Sequence, residues 1–332
     1  MQRLLQVWGA ITDEAGRVRS LEMTGDIDPE TVVALIDPMP EVDLPWLPGD
    51  VLIFQCRGGA VVPAYVGRLA TGGDPADLQF SLEKVEDVNG TGRADVVYTV
   101  SSCGAHTCWG RLYIIEWDGA GFVNRIPDME DYVYPTFTVD DGRVVVDTGG
   151  IGSAGAGHQR SYQEIWVWDG RQFSRSEQIV GPPTALVHRL HDGDEALARG
   201  DYGEAISHYQ QALEDTLLPV GLFLETDEQG TAVIRAYARF KLIVAYAVSG
   251  DLWRAQKQYD SLLAEHPGGT PGSPYVILGQ AFWSEFLTNE APASACAAAV
   301  AIAESNPTLA EQLYAGYANS EYEPADLCRV GR

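Results

Sequence analysis

The sequence predicts a multidomain, β-then-α chain: an N-terminal all-β repeat domain, a partial propeller or sheet stack, followed by a C-terminal α–α array of helical hairpins. Three observations predict it. Residues 1–180 alternate short apolar runs with Gly- and Asp-containing turns, which is the pattern of strands and hairpins. Within them, IIEWDGAGFVNR (Ile114–Arg125) returns fifty-one residues later as IWVWDGRQFSRS (Ile165–Ser176), so a β unit is repeated. From residue 186 onward the composition turns to Ala, Leu, Tyr and Glu at helical spacing, and a Gly-Asp turn recurs between amphipathic stretches.

A chain of 332 residues is long enough for two domains, each with its own core. The boundaries read as 1–180 for the β domain, 177–185 for a Pro-containing linker (EQIVGPPTA), and 186–332 for the helices. In the front half, DVLIFQC (Asp50–Cys56) sets Leu52, Phe54 and Cys56 on one face, with Cys56 expected as a buried thiol. RADVVYTV, RLYIIEWDG, RVVVD and QEIWVWDG supply later strands. Turn signals stand between them at Asn89–Gly92, Asp118–Gly119, Asp140–Gly142 and Asp169–Gly170. The first fifty residues add a hairpin around Asp13–Arg17 and a Pro-rich coil through Asp37–Pro48. Two full units and a degenerate third cannot close a propeller, so a partial stack of sheets is expected.

In the back half, ARGDYGEAISHYQQALED places Gly200, Asp201 and Tyr202 in a turn and Ala205, Tyr209, Ala212 and Leu213 on one stripe. The spacing recurs at Gly250, Asp251, Leu252, Ala255, Tyr259, Leu262, Leu263 and Pro267, and more weakly at Ala295, Ala299, Ile302 and Pro307. Small residues at fixed points let paired helices approach, and the Pro ends the second one. This stretch, roughly 186–307, resembles tetratricopeptide repeats, although the family's Trp and Gly in the first helix are largely absent. LPVGLFLETDEQG interrupts the array, and a last helix near Leu309–Tyr317 is expected to cap it. The resemblance implies that first helices line a concave face. With the Gly200 and Gly250 turns in register, that face carries Leu190, Asp194, Tyr237, Lys241 and Val244, with Gln280 and Ser284 from the third copy. The partner expected there is a protein or an extended peptide, with Lys241 free to pair with its carboxylate. The rival reading has the same residues packed under the β domain as a brace.

DVNGTGRAD is the most specific chemical motif. Asp87, Asn89, Thr91 and Asp95 fall at positions one, three, five and nine, and the Arg93 carbonyl at seven. Calcium takes six to eight hard oxygens, which such a Gly-rich turn can supply. The loop resembles those of integrin-type FG-GAP and VCBS repeats, which implies a weak calcium site, on the order of 10⁻⁴ to 10⁻³ M. The alternative is an Asx turn without metal.

The net charge of −25 argues against nucleic acid and anionic membrane surfaces as partners. There is no transmembrane run of about eighteen apolar residues. The start, MQRLLQVWGAITDEAG, has no secretory core and cleavage site. Cys103 with Cys108, and Cys296 with Cys328, read as two disulfides, with Cys56 left free. Bridged cysteines imply an extracytoplasmic home, periplasmic, cell-surface or secreted, with any leader lying outside this sequence. His188 and His191 beside Asp192 and Asp194 have a spacing that suits a metal on a helix, but exposed polar residues opening a hairpin are the plainer reading. GGIGSAGAGHQR (Gly149–Arg160) precedes a strand rather than a helix, so it reads as a long flexible hairpin loop and not a dinucleotide site. No nucleophile elbow is present. The function expected is a non-enzymatic protein-binding or scaffold module. The alternative is a hydrolase or carbohydrate-active protein with its site in the β loops.

Overall fold

The computed structural model describes residues 18–25, 30–34, 50–71 and 78–331. The hairpin expected around Asp13–Arg17 and the coil through Asp37–Pro48 lie outside them. Strands occupy the N-terminal half and helices the C-terminal half. The chain divides into two compact units, 1–152 with 161–181, and 153–160 with 182–332.

The β unit contains three antiparallel meanders. The first is β1 (Val18–Leu21), β2 (Glu30–Ala34), β3 (Val51–Arg57) and β4 (Ala60–Val66), paired in that order, followed by the short helix α1 (Gly67–Thr71). The second runs β5 (Gln79–Glu86), β6 (Asp95–Cys103), β7 (Cys108–Trp117) and β8 (Phe122–Asn124), with β9 (Tyr132–Val133) also on β7. The third is β10 (Thr136–Asp140), β11 (Arg143–Asp147), β12 (Tyr162–Trp168) and β13 (Phe173–Val180). The second sheet is buried on both faces. Val96, Tyr98, Tyr113 and Ile115 join Val51 and Ile53 of the first sheet in one core. Val97, Leu112 and Ile114 join Val144, Val146 and Trp166 of the third in another. A strand covered on both sides needs no polar alternation, which is why DVVYTV reads as a continuous apolar run.

The internal echo is a repeat in geometry. In both copies the Asp amide bonds the carbonyl three residues on, Asp118 to Gly121 and Asp169 to Gln172, each at 3.0 Å. Each carboxylate accepts the next two free amides. The flanking rings meet alike, Trp117 on Phe122 at 5.2 Å and Trp168 on Phe173 at 5.3 Å.

The helical unit is built of α2 (Leu186–Arg199), α3 (Tyr202–Glu214), α4 (Asp227–Val248), α5 (Leu252–Glu265), α6 (Ser273–Asn289), α7 (Pro292–Ser305) and α8 (Thr308–Glu311). Its hairpin turns repeat. Gly200 and Gly250 have φ of +81° and +85°, and Asp201 and Asp251 cap the following helices through Glu204 N and Arg254 N. Several expectations are corrected. The linker expected at 177–185 begins inside β13. The capping helix expected over Leu309–Tyr317 is one short turn, after which the chain runs through turns to a 3-10 helix, Pro324–Cys328. Cys56 is half-buried, because it sits next to the β3–β4 turn while residues 51–55 are buried. Gly149–Arg160 is no free loop. Its residues 153–160 belong to the helical unit, Ala156 has no exposed surface, and the Gly155 and Ala156 carbonyls accept Tyr317 N and Ala318 N.

Candidate functional site

The helical unit concentrates its buried polar chemistry on Asp194. The α2 sequence HRLHDGD puts His188, His191 and Asp194 three residues apart, so they follow one face. Gly193 lets α3 approach that helix, since a Cβ there would fall 2.5 Å from the Tyr209 ring. From α3, the Tyr209 hydroxyl donates to Asp194 Oδ1 at 2.6 Å. From α4, Tyr237 donates to Oδ2 at 2.9 Å and Lys241 Nζ pairs with Oδ1 at 2.9 Å. From the C-terminal tail, Tyr322 donates to Oδ2 at 2.7 Å. Lys241 also donates to the Leu327 carbonyl at 3.3 Å and lies 5.5 Å from the Tyr237 ring centre.

This cluster sets what the site can do. Both Asp194 oxygens are saturated by four donors, so the carboxylate is neither a free base nor an open metal ligand. Burial, reinforced by the Asp194 charge, holds the phenols of Tyr209, Tyr237 and Tyr322 well above their ordinary range. They act as neutral hydrogen-bond donors at every physiological pH. A cavity of about 240 Å³ adjoins the cluster, lined by His191, Asp194, Glu195, Tyr322, Asp326 and Arg329.

Tyr237 and Lys241, expected on an exposed inner face, lie inside the helical unit instead. Tyr237, Lys241 and Val244 have no exposed surface, as has Leu190. The chain's own tail packs against these helices, with Leu327 and Cys328 buried. Lys241 is neutralised within the chain rather than held ready for a partner's carboxylate. Of the residues placed on that face, Gln280 and Ser284 are exposed, on a stripe of α6 that also shows Ile277 and Leu287. Tyr209 and Tyr322 were missed as site residues. Tyr209 had been assigned to packing, and the tail carries no periodicity to mark it. The histidines are not exposed ligands. His188 is buried, with its ring bonded to Thr184, the His158 carbonyl and Asn319, and His191 lies against the Tyr322 ring at 5.4 Å.

Both cysteine pairs are bridged. Cys103 joins Cys108 across β6 and β7, and Cys296 on α7 joins Cys328 in the tail, with Cα separations of 4.0 and 5.1 Å. No helix among the described residues is long and apolar enough to cross a membrane.

The Asp87–Asp95 loop joins β5 to β6. Asp87 spends both oxygens on the loop's own amides, Oδ1 on Gly90 and Thr91 and Oδ2 on Gly92. Asp95 is buried and accepts Val88 N at 3.0 Å. Two residues outside the motif complete the cluster. Glu116 on β7, also buried, accepts the Thr91 hydroxyl at 3.0 Å and pairs with Arg125 at 2.6 Å. The Arg93 side chain donates to the Trp117 carbonyl. The donor set as arranged does not fit a calcium ion: Asp87 is turned into the loop as in an Asx turn, and the guanidinium of Arg125 supplies the positive charge beside Glu116. No group of three or more His, Cys, Asp or Glu among the described residues is disposed to hold a metal. In the β unit, Asp128, Glu130, Tyr132, Trp166, Ser174 and Arg175 line a cavity of about 270 Å³. The nearby Glu164 carboxylate is occupied by Tyr132 at 2.5 Å and Arg175 at 2.9 Å.

No protein family, curated protein or solved structure matches the chain.

Proposed function

We propose that the protein is a non-enzymatic binding or scaffold module of an oxidising, extracytoplasmic compartment, in which the tetratricopeptide-like helical unit docks an extended segment of a protein. One observation supports this reading above the others: α2 and α4 already hold a peptide segment, the chain's own tail with its 3-10 turn at Pro324–Cys328. The contacts are those of peptide recognition. Lys241 takes a main-chain carbonyl, the Leu197 carbonyl takes the Gly331 amide at 2.9 Å, and a carboxylate takes a tyrosine hydroxyl. The two bridges support the compartment. A hydrolase is disfavoured because the carboxylates of Asp194, Glu116 and Glu164 are each tied to a cation within the chain.

The experiment is a selection from a displayed random-peptide library against the full chain, with its disulfides intact and after dithiol treatment, followed by hydrogen exchange on the complexes. The reading expects enriched peptides that slow exchange in 186–331. Peptides that protect only the β unit, or turnover of a glycoside or ester panel lost on changing Asp128 or Glu130, would overturn it.

A further inference from the structure

We propose that the tail segment Tyr322–Val330, whose residues 324–328 form a 3-10 turn, is a tethered ligand of the helical unit, occupying in cis a site that also takes, in trans, a peptide with a tyrosine and an aliphatic side chain five residues on. This rests on the docking function above and names the chemistry of its ligand.

Three features of the tail carry it. First, the tail meets the core not only with the apolar Leu327 and Cys328 but also with polar atoms that bond an ion pair costly to desolvate. Here a pair with a fully buried lysine and a partly buried carboxylate reaches tail atoms from both sides, Asp194 to the Tyr322 hydroxyl at 2.7 Å and Lys241 to the Leu327 carbonyl at 3.3 Å. Second, the tail's side chains divide as a bound peptide's do. Leu327 and Cys328 are buried and Tyr322 is partly buried, while Glu321, Glu323, Ala325 and Arg329 are exposed. Third, the occupant leaves room. The cavity of about 240 Å³ is bounded by tail residues Tyr322, Asp326 and Arg329 on one side and His191, Asp194 and Glu195 of α2 on the other.

The tether is the Cys296–Cys328 bridge, which fixes the far end of the segment to α7. A segment held at both ends competes at an effective concentration in the millimolar range or above, roughly a thousandfold over a micromolar peptide in solution. The bridge therefore excludes trans peptides while it stands. A dithiol opens it by exchange: the dithiol gives up two electrons and two protons and closes to its own disulfide, and Cys296 and Cys328 become thiols. The tail then loses its covalent hold on α7.

The test uses the full chain carrying Cys296→Ser and Cys328→Ser, the oxidised wild type, and a fluorescent peptide of residues 320–331 with Cys328→Ser, read by anisotropy. The serine pair and dithiol-treated wild type are expected to bind the peptide, and the oxidised wild type to bind at least a hundredfold more weakly. Changing Tyr322→Phe in the peptide alone should weaken binding about tenfold, the loss of one hydrogen bond to a charged group. Equal binding by oxidised wild type would place the peptide elsewhere and overturn the proposal. So would a folded serine variant that ignores the peptide at millimolar concentration, since the tail would then be a permanent cap. If the serine pair and the reduced wild type both unfold, the tail is part of the core and the proposal also fails. Should this peptide fail while library peptides still protect residues 186–331, the tethered ligand falls and the docking function stands.

Discussion

Two buried side chains give the two units opposite responses to acid. Burial pushes the Asp95 carboxyl up to about 7, against about 4 in an unfolded chain. Between those values the folded β unit holds a proton that the unfolded chain lacks, so its stability falls as pH rises through the window. Asp50, raised by burial to about 6, acts in the same direction. His191 is the converse, pushed down by burial to about 4. Between about 4 and 6.5 the unfolded chain holds the extra proton, and the helical unit loses stability as pH falls. From pH 7.5 to 5, the stability of the β unit should rise by roughly 4 kcal/mol and that of the helical unit should fall by about 2 kcal/mol, and their melting temperatures should move with them. Asp95→Asn should reduce the first movement and leave the second. Calorimetry of both proteins at the two pH values decides it, and transitions moving together would contradict the assignment. Little of this was legible beforehand. Asp95 was read as a calcium ligand because DVNGTGRAD has the spacing. Glu116 and Arg125, which turn that spacing into an ion-paired cluster, lie a strand away in sequence.

The repeated hairpin is the element most fully legible in the sequence, because a tight Asp-Gly turn is dictated locally. An Asp accepts the following amides and a Gly takes positive φ, here +103° at Gly119 and +96° at Gly170. Gly119→Ala and Gly170→Ala should therefore each destabilise the β unit, by about 1–2 kcal/mol and by the same amount within error. Urea denaturation measures both, and a cost at one site alone would break the equivalence. The helical Gly-Asp turns were legible for the same reason. Elements without local dictation were not. The 153–160 segment looked like a glycine-rich loop, yet it is held by carbonyl contacts to residues 317 and 318 that no pattern announces. The tail, EYEPADLCRVGR, has neither helical nor strand period, and Cys328 was its only marker.

At the scale of the whole molecule, two disulfides accompany a helical unit in which the tail's Tyr322 and Leu327 bond Asp194 and Lys241. Non-reducing mass spectrometry should find one alkylatable thiol, Cys56, among the five cysteines. Five thiols would remove both bridges and the oxidising compartment with them. Cysteine spacing made the two pairs legible. It did not reveal that the second bridge pins a segment over Lys241, because what covers a helix face is set by tertiary packing and not by the face's own residues. The most direct test of that central claim is ¹⁹F NMR of the full oxidised chain with a fluorotyrosine at position 322, titrated through the range where an exposed phenol ionises. A hydroxyl held on Asp194 and kept from water predicts one resonance that does not titrate, and a second, titrating population once a dithiol is added. A resonance in the oxidised chain that titrates like an exposed fluorophenol would show the tail outside the groove and contradict the account.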